Sequence, residues 1–311
     1  MQSATTTSCM LLALCIAAPA RAVVHGVPSG ARDDAVVLVL RDDGGRCTGT
    51  LVAPDLVVLA LHCVTEISSG PVACDGQNRP VGARGAATGG RITADIAPER
   101  LRVFAGTGAP SLATMPPAAR GTRVYRPAAG SVCAGDLAVL RLDRPVTRYA
   151  IAPLRLERGV SAGEPVVVVG YGRTEAGKLP PTRYRRDGVS VVRVGPAPGG
   201  GGFVALADTT FEVSEGPCLG DSGGPAFDAG SGALVGVFSG GGNPRARLDN
   251  PASPCLGPDV RNRYTTIASF RELVLQAFHD AGYVPRRERQ QHAGLARHGP
   301  TAADLSAGAW R

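Results

Sequence analysis

The strongest chemical signal in the sequence is a short segment around Ser222, which reads Cys218-Leu-Gly-Asp-Ser-Gly-Gly-Pro225. A serine hydroxyl becomes a good nucleophile only when a base removes its proton, and attack on an acyl carbon creates an oxyanion that backbone N–H groups can stabilise. Glycine permits the tight turn that brings such donors together, so the N–H groups of Gly220 and Ser222 form the predicted oxyanion hole. Taken alone, the segment also fits a glycine-rich surface turn.

Two segments upstream supply a base and a carboxylate. His62 ends an apolar run and is followed directly by Cys63, a placement that holds an imidazole rigidly, as a general base requires. Asp136 heads another apolar run, where a carboxylate can orient an imidazole and stabilise its cation. Alone, His62 fits a core histidine and Asp136 fits a turn residue. Together with Ser222 they predict acyl transfer by a serine nucleophile.

The elements that must position these residues are mostly strands. Runs rich in Val, Leu and Ile recur between turn residues, which predicts β-strands at 35–41, 48–53, 56–61, 137–142, 165–170, 189–194 and 233–238. One helix is predicted, beginning with a capping box at Ser269 and ending at Gly282. The Gly-rich and Pro-rich stretches 80–90 and 195–202 are predicted loops. This order favours two small β-barrels or a sandwich and excludes a parallel α/β sheet.

The three chemical segments together resemble the chymotrypsin and trypsin family of serine proteases, over roughly 23–284. Their chain order, His62, Asp136, Ser222, separates that family from subtilisins and α/β-hydrolases and argues against an esterase. The resemblance implies an all-β fold of two six-stranded antiparallel β-barrels with a C-terminal α-helix. It also implies a secreted endopeptidase that hydrolyses peptide bonds through an acyl-enzyme. A catalytically inactive homologue that serves as a binding module is the alternative.

The resemblance further assigns supporting residues. Ser239 matches a serine that supports the triad aspartate, and Gly241 matches a backbone partner of the substrate. Gly240 stands where the family usually has a tryptophan, which opens that wall of the site. In the family, the carboxylate before the catalytic serine pairs with a newly formed amino terminus. Here Asp221 is that carboxylate, and Val23 matches the terminus.

Two departures from the family are visible. The run before His62 reads Leu59-Ala-Leu61 where the family has two alanines, and more residues than usual separate His62 from Asp136. An insertion is therefore expected within 70–130. The implied division places the N-terminal barrel with His62 and Asp136 in 23–150. The C-terminal barrel with Ser222 and the terminal helix falls in 151–284.

The predicted mature chain holds an even number of cysteines, which in an exported protein favours disulfides over metal or redox roles. These cysteines are Cys47, Cys63, Cys74, Cys133, Cys218 and Cys255. The resemblance implies a Cys47–Cys63 bridge that clamps the histidine loop and a Cys218–Cys255 bridge that clamps the substrate pocket. Cys74 and Cys133 then remain as the third pair.

Substrate preference has two open interpretations. Gly216, six residues before the serine, matches the pocket base where trypsins have Asp, and Asp259 matches a stretch of the pocket wall. A buried carboxylate is costly unless it is paired, and an Arg or Lys of the substrate would pair with Asp259. If Pro217 and Val260 shield Asp259 instead, a small apolar pocket results.

Both ends of the chain are predicted to lie outside the fold. Residues 1–22 are typical of a signal peptide, since the apolar run is too short to span a bilayer and Ala20-Arg-Ala22 is a cleavage site, with Ala18-Pro-Ala20 competing. Cleavage after Ala22 would release Val23 directly, which predicts activation by signal removal itself. Residues 285–311 are polar and basic and are predicted to be a disordered tail.

The formal net charge of +7 comes from arginines scattered among acids. No basic stripe or binding motif accompanies it, so the chain is not predicted to bind nucleic acid. The remaining histidines show no metal-ligand spacing, and the sequence calls for no metal, no cofactor and no membrane span. Polypeptide substrates are the predicted partners, with a monomer assumed.

Overall fold

The computed structural model describes residues 23–288, except 71, 76, 82–88, 111–114, 200–204, 244–245 and 247–251. The predicted signal peptide, 1–22, and the chain beyond 288 lie outside the described residues. So does most of the predicted loop 80–90. The described part of the chain folds into fifteen strands and one α-helix, with several single 3-10 turns.

The N-terminal half contributes nine of the described strands, six of which form the first barrel. These are β1 (Val27–Pro28), β2 (Val36–Arg41), β3 (Arg46–Ala53), β4 (Leu56–Leu59), β5 (Thr65–Ile67), β6 (Ile92–Asp95), β7 (Leu101–Phe104), β8 (Ala119–Tyr125) and β9 (Ala138–Leu142). Six of them close an antiparallel barrel in the order β2, β3, β4, β9, β8, β7, with β7 pairing back on β2. β5 and β6 form a separate hairpin. Strands β2 to β4 are buried along nearly their whole length, which explains why their apolar runs do not alternate.

The second barrel is built from the C-terminal half. Its strands are β10 (Pro165–Gly170), β11 (Tyr184–Val194), β12 (Thr210–Val213), β13 (Pro225–Asp228), β14 (Leu234–Gly242) and β15 (Arg261–Thr266). They run in the order β11, β10, β13, β14, β15, β12, and β12 closes on β11. Two closed six-stranded antiparallel barrels are therefore present, which confirms the predicted fold and rules out the sandwich.

Two elements cross between the halves that the sequence separates. β1 lies in the predicted N-terminal region but pairs with β11 of the second barrel. The helix α1 (Arg271–Ala281) lies in the predicted C-terminal region but packs on β4 and β9. Apolar residues of α1 consequently join the core of the first barrel, where Val274 and Phe278 are buried.

All seven runs predicted as strands form strands, and two of the missed strands, β8 and β15, share one property. β8 reads ARGTRVY and β15 reads RNRYTT, so arginines interrupt the apolar pattern that identifies a strand. Hydrogen bonding to neighbours already in place decides these strands, because their own residues bury only part of their surface.

The predicted end of the helix is confirmed, but its predicted start is wrong. Gly282 adopts the left-handed conformation, with φ of 78°, and its N–H donates to the carbonyls of Phe278 and His279. At the other end, the chain enters through a 3-10 turn at Ala268–Phe270, and no side chain caps the first turn. The Phe270 ring packs on Gly135, where a Cβ would lie 2.1 Å from the ring. Aromatic packing therefore replaces the expected capping box at Ser269.

The predicted tail begins later than expected. Leu154 N–H donates to the carbonyl of Arg286 at 2.7 Å, and Glu288 N–H donates to the carbonyl of Leu154 at 2.9 Å. Arg155 is 2% exposed and forms ion pairs with Glu288 at 2.6 Å and with Asp228 at 3.1 Å. A buried guanidinium requires such partners, so residues 285–288 are held against the barrel and their predicted disorder is wrong.

Candidate active site

His62 is held at the end of β4 by local structure. The strand stops at Leu59, and a 3-10 turn at Leu61–Cys63 carries the histidine. The disulfide Cys47–Cys63 ties this turn to β3, as predicted. Leu59, Ala60 and Leu61 are fully buried, so the bulkier residues before His62 fill core volume and leave the imidazole 20% exposed.

Asp136 is buried and receives three hydrogen bonds. It follows Gly135, whose φ of 139° turns the chain sharply before β9. Its Oδ1 accepts the backbone N–H of His62 at 2.9 Å, and its Oδ2 lies 2.7 Å from Nδ1 of the same histidine. The Ser239 hydroxyl donates to Oδ2 at 2.6 Å. A carboxylate can only accept, so Nδ1 carries the proton and Nε2 of the neutral ring is left able to take one.

The electrostatics of the pair follow from this geometry. Burial acts to lower the pKa of His62, but the charge of Asp136 and the hydrogen bond to it outweigh burial and raise that pKa above its ordinary value of 6.5. Burial acts to raise the pKa of Asp136, but the His62 charge and the bonds from His62 and Ser239 hold it below 3.8. The carboxylate is therefore ionised whenever the imidazole is called on to hold a proton.

The loop that carries Ser222 is hydrogen-bonded to a strand of each barrel. Thr48 N–H on β3 donates to the Ser222 carbonyl at 2.7 Å, and Gly223 N–H donates to the Phe238 carbonyl on β14 at 2.8 Å. Gly223 has φ of 81°, and a Cβ there would lie 2.3 Å from the Thr48 carbonyl oxygen. No residue other than glycine fits this close approach.

The predicted oxyanion donors lie on the same loop. Gly220 has φ of 96°, a conformation that favours glycine, and its carbonyl accepts the Thr48 hydroxyl at 3.2 Å. Within the described part of the chain, neither the N–H of Gly220 nor that of Ser222 has a protein acceptor. Both groups therefore remain available to a ligand.

Asp221, between these two residues, points away into the protein and is 1% exposed. Its carboxylate accepts the N–H of Gly172 at 2.6 Å and that of Cys218 at 2.8 Å. Burial raises the pKa of Asp221 to about 7, although these two bonds and the charge of Arg46 act in the opposite direction. Val23, the predicted partner, is buried, but no hydrogen bond or ion pair of the described residues joins it to Asp221.

His62, Asp136 and Ser222, the predicted triad, share one cleft of about 660 Å³. Its lining includes all three of them, and also Ser239 and Gly241. The structure thus brings together the residues that the sequence assigned to base, nucleophile and substrate strand.

The predicted specificity residues are not brought to this cleft. Among the described residues, Gly216, Pro217 and Asp259 do not contribute to the lining. The pairing of β14 with β15 shows the reason, because Gly241 lies opposite Asn262, three residues beyond Asp259. A Cβ on Gly241 would lie 2.2 Å from the Asn262 Oδ1. The pairing of Asp259 with a substrate Arg or Lys stays a prediction.

Sequence reasoning missed several residues of the cleft. Glu212 on β12 and Asn262 and Arg263 on β15 all contribute to its lining. Neither strand was recognised from its apolar pattern, so these polar side chains had no predicted location. The signal in the sequence that could have located them is the pair of arginines in β15. This polar strand lies beside the glycine-rich β14, and polar side chains beside such an open strand can form the wall of a site.

All three predicted disulfides are present. They join Cys47 to Cys63, Cys74 to Cys133 and Cys218 to Cys255. One cluster of potential metal ligands occurs among the described residues, formed by Cys47, His62 and Cys63. Both sulfurs are used in the bridge, so this cluster leaves His62 as a single ligand and does not form a metal site.

Two closed barrels and a C-terminal helix, with the cleft lined from both, define the chymotrypsin-like fold. The trypsin family model matches residues 106–254, which confirms the resemblance to chymotrypsin-like and trypsin-like serine proteases. This match supports a trypsin-like serine protease in general. The matched segment includes Asp136 and Ser222 and begins after His62. No curated protein matches the sequence significantly.

A protease domain implies polypeptide substrates. Trypsin-like domains and disulfides are typical of extracellular proteins. In the described part of the chain, the helix is too short and too polar to cross a bilayer.

Proposed function

We propose that this protein is a secreted serine endopeptidase in which Ser222, His62 and Asp136 form the catalytic triad. The observation that carries the proposal is the bonding of Asp136 to His62 at 2.7 Å in a cleft that Ser222 also lines. A turn aspartate and a core histidine would not be expected to bond to each other beside a half-buried serine in one cleft.

The proposed reaction begins when Ser222 Oγ attacks the carbonyl carbon of the substrate while Nε2 of His62 takes the hydroxyl proton. The tetrahedral oxyanion is stabilised by the N–H groups of Gly220 and Ser222, which have no acceptor among the described residues. The imidazolium then protonates the leaving amine, the peptide bond breaks, and an acyl-enzyme remains. Water, deprotonated by His62, releases the second product and restores the serine.

Two features support this sequence of steps. Asp136 stays ionised and stabilises the imidazolium, because its pKa is held below the ordinary value. The neutral imidazole is the active base, and its pKa is raised. Activity is therefore expected to rise as the pH increases through a value above 6.5.

The alternative is an inactive homologue that acts as a binding module. Labelling with a fluorophosphonate probe, followed by peptide mapping, distinguishes the two. The proposal expects one adduct on Ser222 in the wild-type protein and none in Ser222→Ala. A processed wild-type protein that carries no adduct on Ser222 would establish the binding module.

We further propose that export and activation are one event. Release of residues 1–22 would give Val23 a free ammonium group, and Asp221 is a buried carboxylate with only backbone donors and the distant Arg46 to offset its charge. Pairing of the two would order the loop that holds Gly220 and Ser222. Amino-terminal sequencing of the fully active exported protein tests this. A start other than Val23 contradicts it.

A further inference from the structure

A row of charged side chains on one face of the second barrel leads to the wall of the cleft, which Glu212 and Arg263 line. Arg193 on β11 is paired with Glu212 on β12, and Glu212 is paired with Arg263 on β15. Arg263 is in turn opposite Gly240 on β14. Directly opposed residues of an antiparallel pair lie on the same face of the sheet, so this row runs across four strands and ends at the cleft.

The row has one carboxylate for two guanidinium groups. Glu212 is 3% exposed and forms its ion pair with Arg193, at 3.0 Å between Oε2 and Nε. Asp136 is the other carboxylate close enough to favour the charge of Arg263, and its oxygens are occupied by His62 and Ser239. Among the described residues, the guanidinium group of Arg263 therefore has no hydrogen bond or ion pair of its own.

Arg263 is nevertheless partly buried, and it lines the cleft together with His62 and Ser239. A partly buried guanidinium without a partner is costly, and the cost is removed when a carboxylate binds it. Burial also lowers the pKa of Arg263, although an arginine remains charged at any physiological pH.

The strand in front of Arg263 leaves room for such a partner. A Cβ on Gly240 or on Gly242 would meet no atom of the described residues within 4 Å, so the face of β14 is open to the cleft at both residues. Gly240 carries no side chain that could cover Arg263, which lies opposite it. A polypeptide in the cleft can therefore approach Arg263.

We propose that Arg263 is a specificity residue that binds the carboxylate of an acidic substrate side chain close to the scissile bond. The inference rests on the proposed peptidase function and names its substrate class, polypeptides that carry Asp or Glu near the cleavage site. An arginine offers two parallel N–H donors to a carboxylate, which gives both charge pairing and defined geometry. Gln is the matched substrate residue for comparison with Glu, because it has the same shape but no charge to pair with Arg263.

The test compares pairs of fluorogenic peptides that differ by Glu or Gln at each of the four positions before the scissile bond. At one position, the wild-type enzyme is expected to show a kcat/KM about 10- to 100-fold higher for Glu, the range that a hydrogen bond to a charged group gives. In Arg263→Met this ratio falls to about one. In Arg263→Lys it is partly retained, because the charge remains and the paired donors are lost.

Arg144→Met is the matched control, since it removes one exposed arginine that pairs with Asp143 outside the cleft. It leaves the Glu to Gln ratio unchanged. If Arg263 only stabilised the fold, Arg263→Met would lower the melting temperature without altering the ratio, and the proposal would be overturned.

A second measurement separates this inference from the peptidase proposal. The same peptide pairs are bound to the Ser222→Ala protein, where no cleavage occurs, and their dissociation constants are compared. Tighter binding of the Glu peptide that Arg263→Met abolishes supports the inference even in a protein with no peptidase activity. The inference is overturned if the wild type cleaves the Glu and Gln peptides at equal rates and the two peptides also bind with equal affinity. That result leaves the peptidase proposal intact, because the peptides are still cleaved.

Discussion

Asp136 and Asp221 are both buried aspartates beside the proposed site, and their surroundings have opposite effects on their pKa. Asp136 accepts hydrogen bonds from the imidazole of His62, from a backbone N–H and from a serine hydroxyl, and its pKa is lowered. Asp221 receives two backbone N–H groups, with Arg46 as a weaker influence, and its pKa is raised to about 7. The two carboxylates differ in whether a group that can carry a positive charge is hydrogen-bonded to them directly.

The two sides of the proposed site therefore differ: on one side both charged groups have partners, and on the other side a buried carboxylate lacks a cationic partner bonded to it. The side that carries the base needs nothing beyond the described residues, because His62 and Asp136 satisfy each other. On the serine side, Asp221 holds the oxyanion loop by two neutral hydrogen bonds and lacks a strong positive partner. A cation supplied there, by a new amino terminus, would complete the site.

The largest effect is expected from removing the charge of Asp136. Asn can present an N–H to Nδ1 of His62, which favours the wrong tautomer, so Asp136→Asn lowers kcat by about 10,000-fold, the size that this change has in the Ser-His-Asp template. Steady-state kinetics on a peptide substrate measures it. Asp280→Asn, near the end of α1 and outside the cleft, is the control and keeps wild-type rates. A loss below tenfold in Asp136→Asn would remove Asp136 from the triad.

Asp221→Asn is expected to lower activity by about 100- to 1,000-fold, the range for breaking a buried ion pair. The triad stays bonded in this variant, so the loss arises from a disordered oxyanion loop. Titration of active sites with the fluorophosphonate probe measures it as slower labelling of Ser222. Wild-type labelling rates in Asp221→Asn would show that this carboxylate has no part in ordering the loop.

A pH titration of stability tests Asp221 in the uncleaved chain. Its folded pKa of about 7 lies above the ordinary 3.8, so the folded state keeps a proton that the unfolded state releases. Stability therefore falls as the pH rises from about 4 to about 7, by up to about 4 kcal/mol.

Urea unfolding of the Ser222→Ala chain with residues 1–22 retained measures this slope without self-digestion. Asp221→Asn in the same background removes it. Cleavage before Val23 is also expected to remove it, because the new ammonium lowers the pKa of Asp221. A slope that persists after cleavage would mean that the two groups do not pair.

The smallest effect is expected from Ser239→Ala. This change removes one hydrogen bond to Asp136 and lowers kcat by about 3- to 10-fold, since a single hydrogen bond contributes about 1 kcal/mol. The pKa of Asp136 rises slightly, so the low-pH limb of the kcat profile also changes, whereas a purely structural loss would leave the profile in place. Ser239→Thr, which keeps a hydroxyl, restores part of the rate.

Prediction of an element from the sequence succeeded where the residues of that element determine its structure by themselves. Strands such as β2, β4 and β10 were found because their residues are apolar throughout, and the end of α1 was found because Gly282 alone suits a left-handed turn. The disulfides were also predicted correctly, by way of the family resemblance. Elements set by contacts between distant residues, such as the start of α1 on Gly135, were not found.

By itself, the sequence determined the chemistry that is available: a serine in a glycine-rich turn, a histidine locked beside a cysteine and an aspartate at the head of a strand. Tertiary structure alone decided which side chains form the wall of the cleft. A shift of strand register by one residue moves every side chain to the opposite face, and no local pattern fixes the pairing of β15 with β14. For that reason the sequence did not reveal that Arg263 lines the cleft, whereas Asp259, which the sequence offered, is not among the described lining residues.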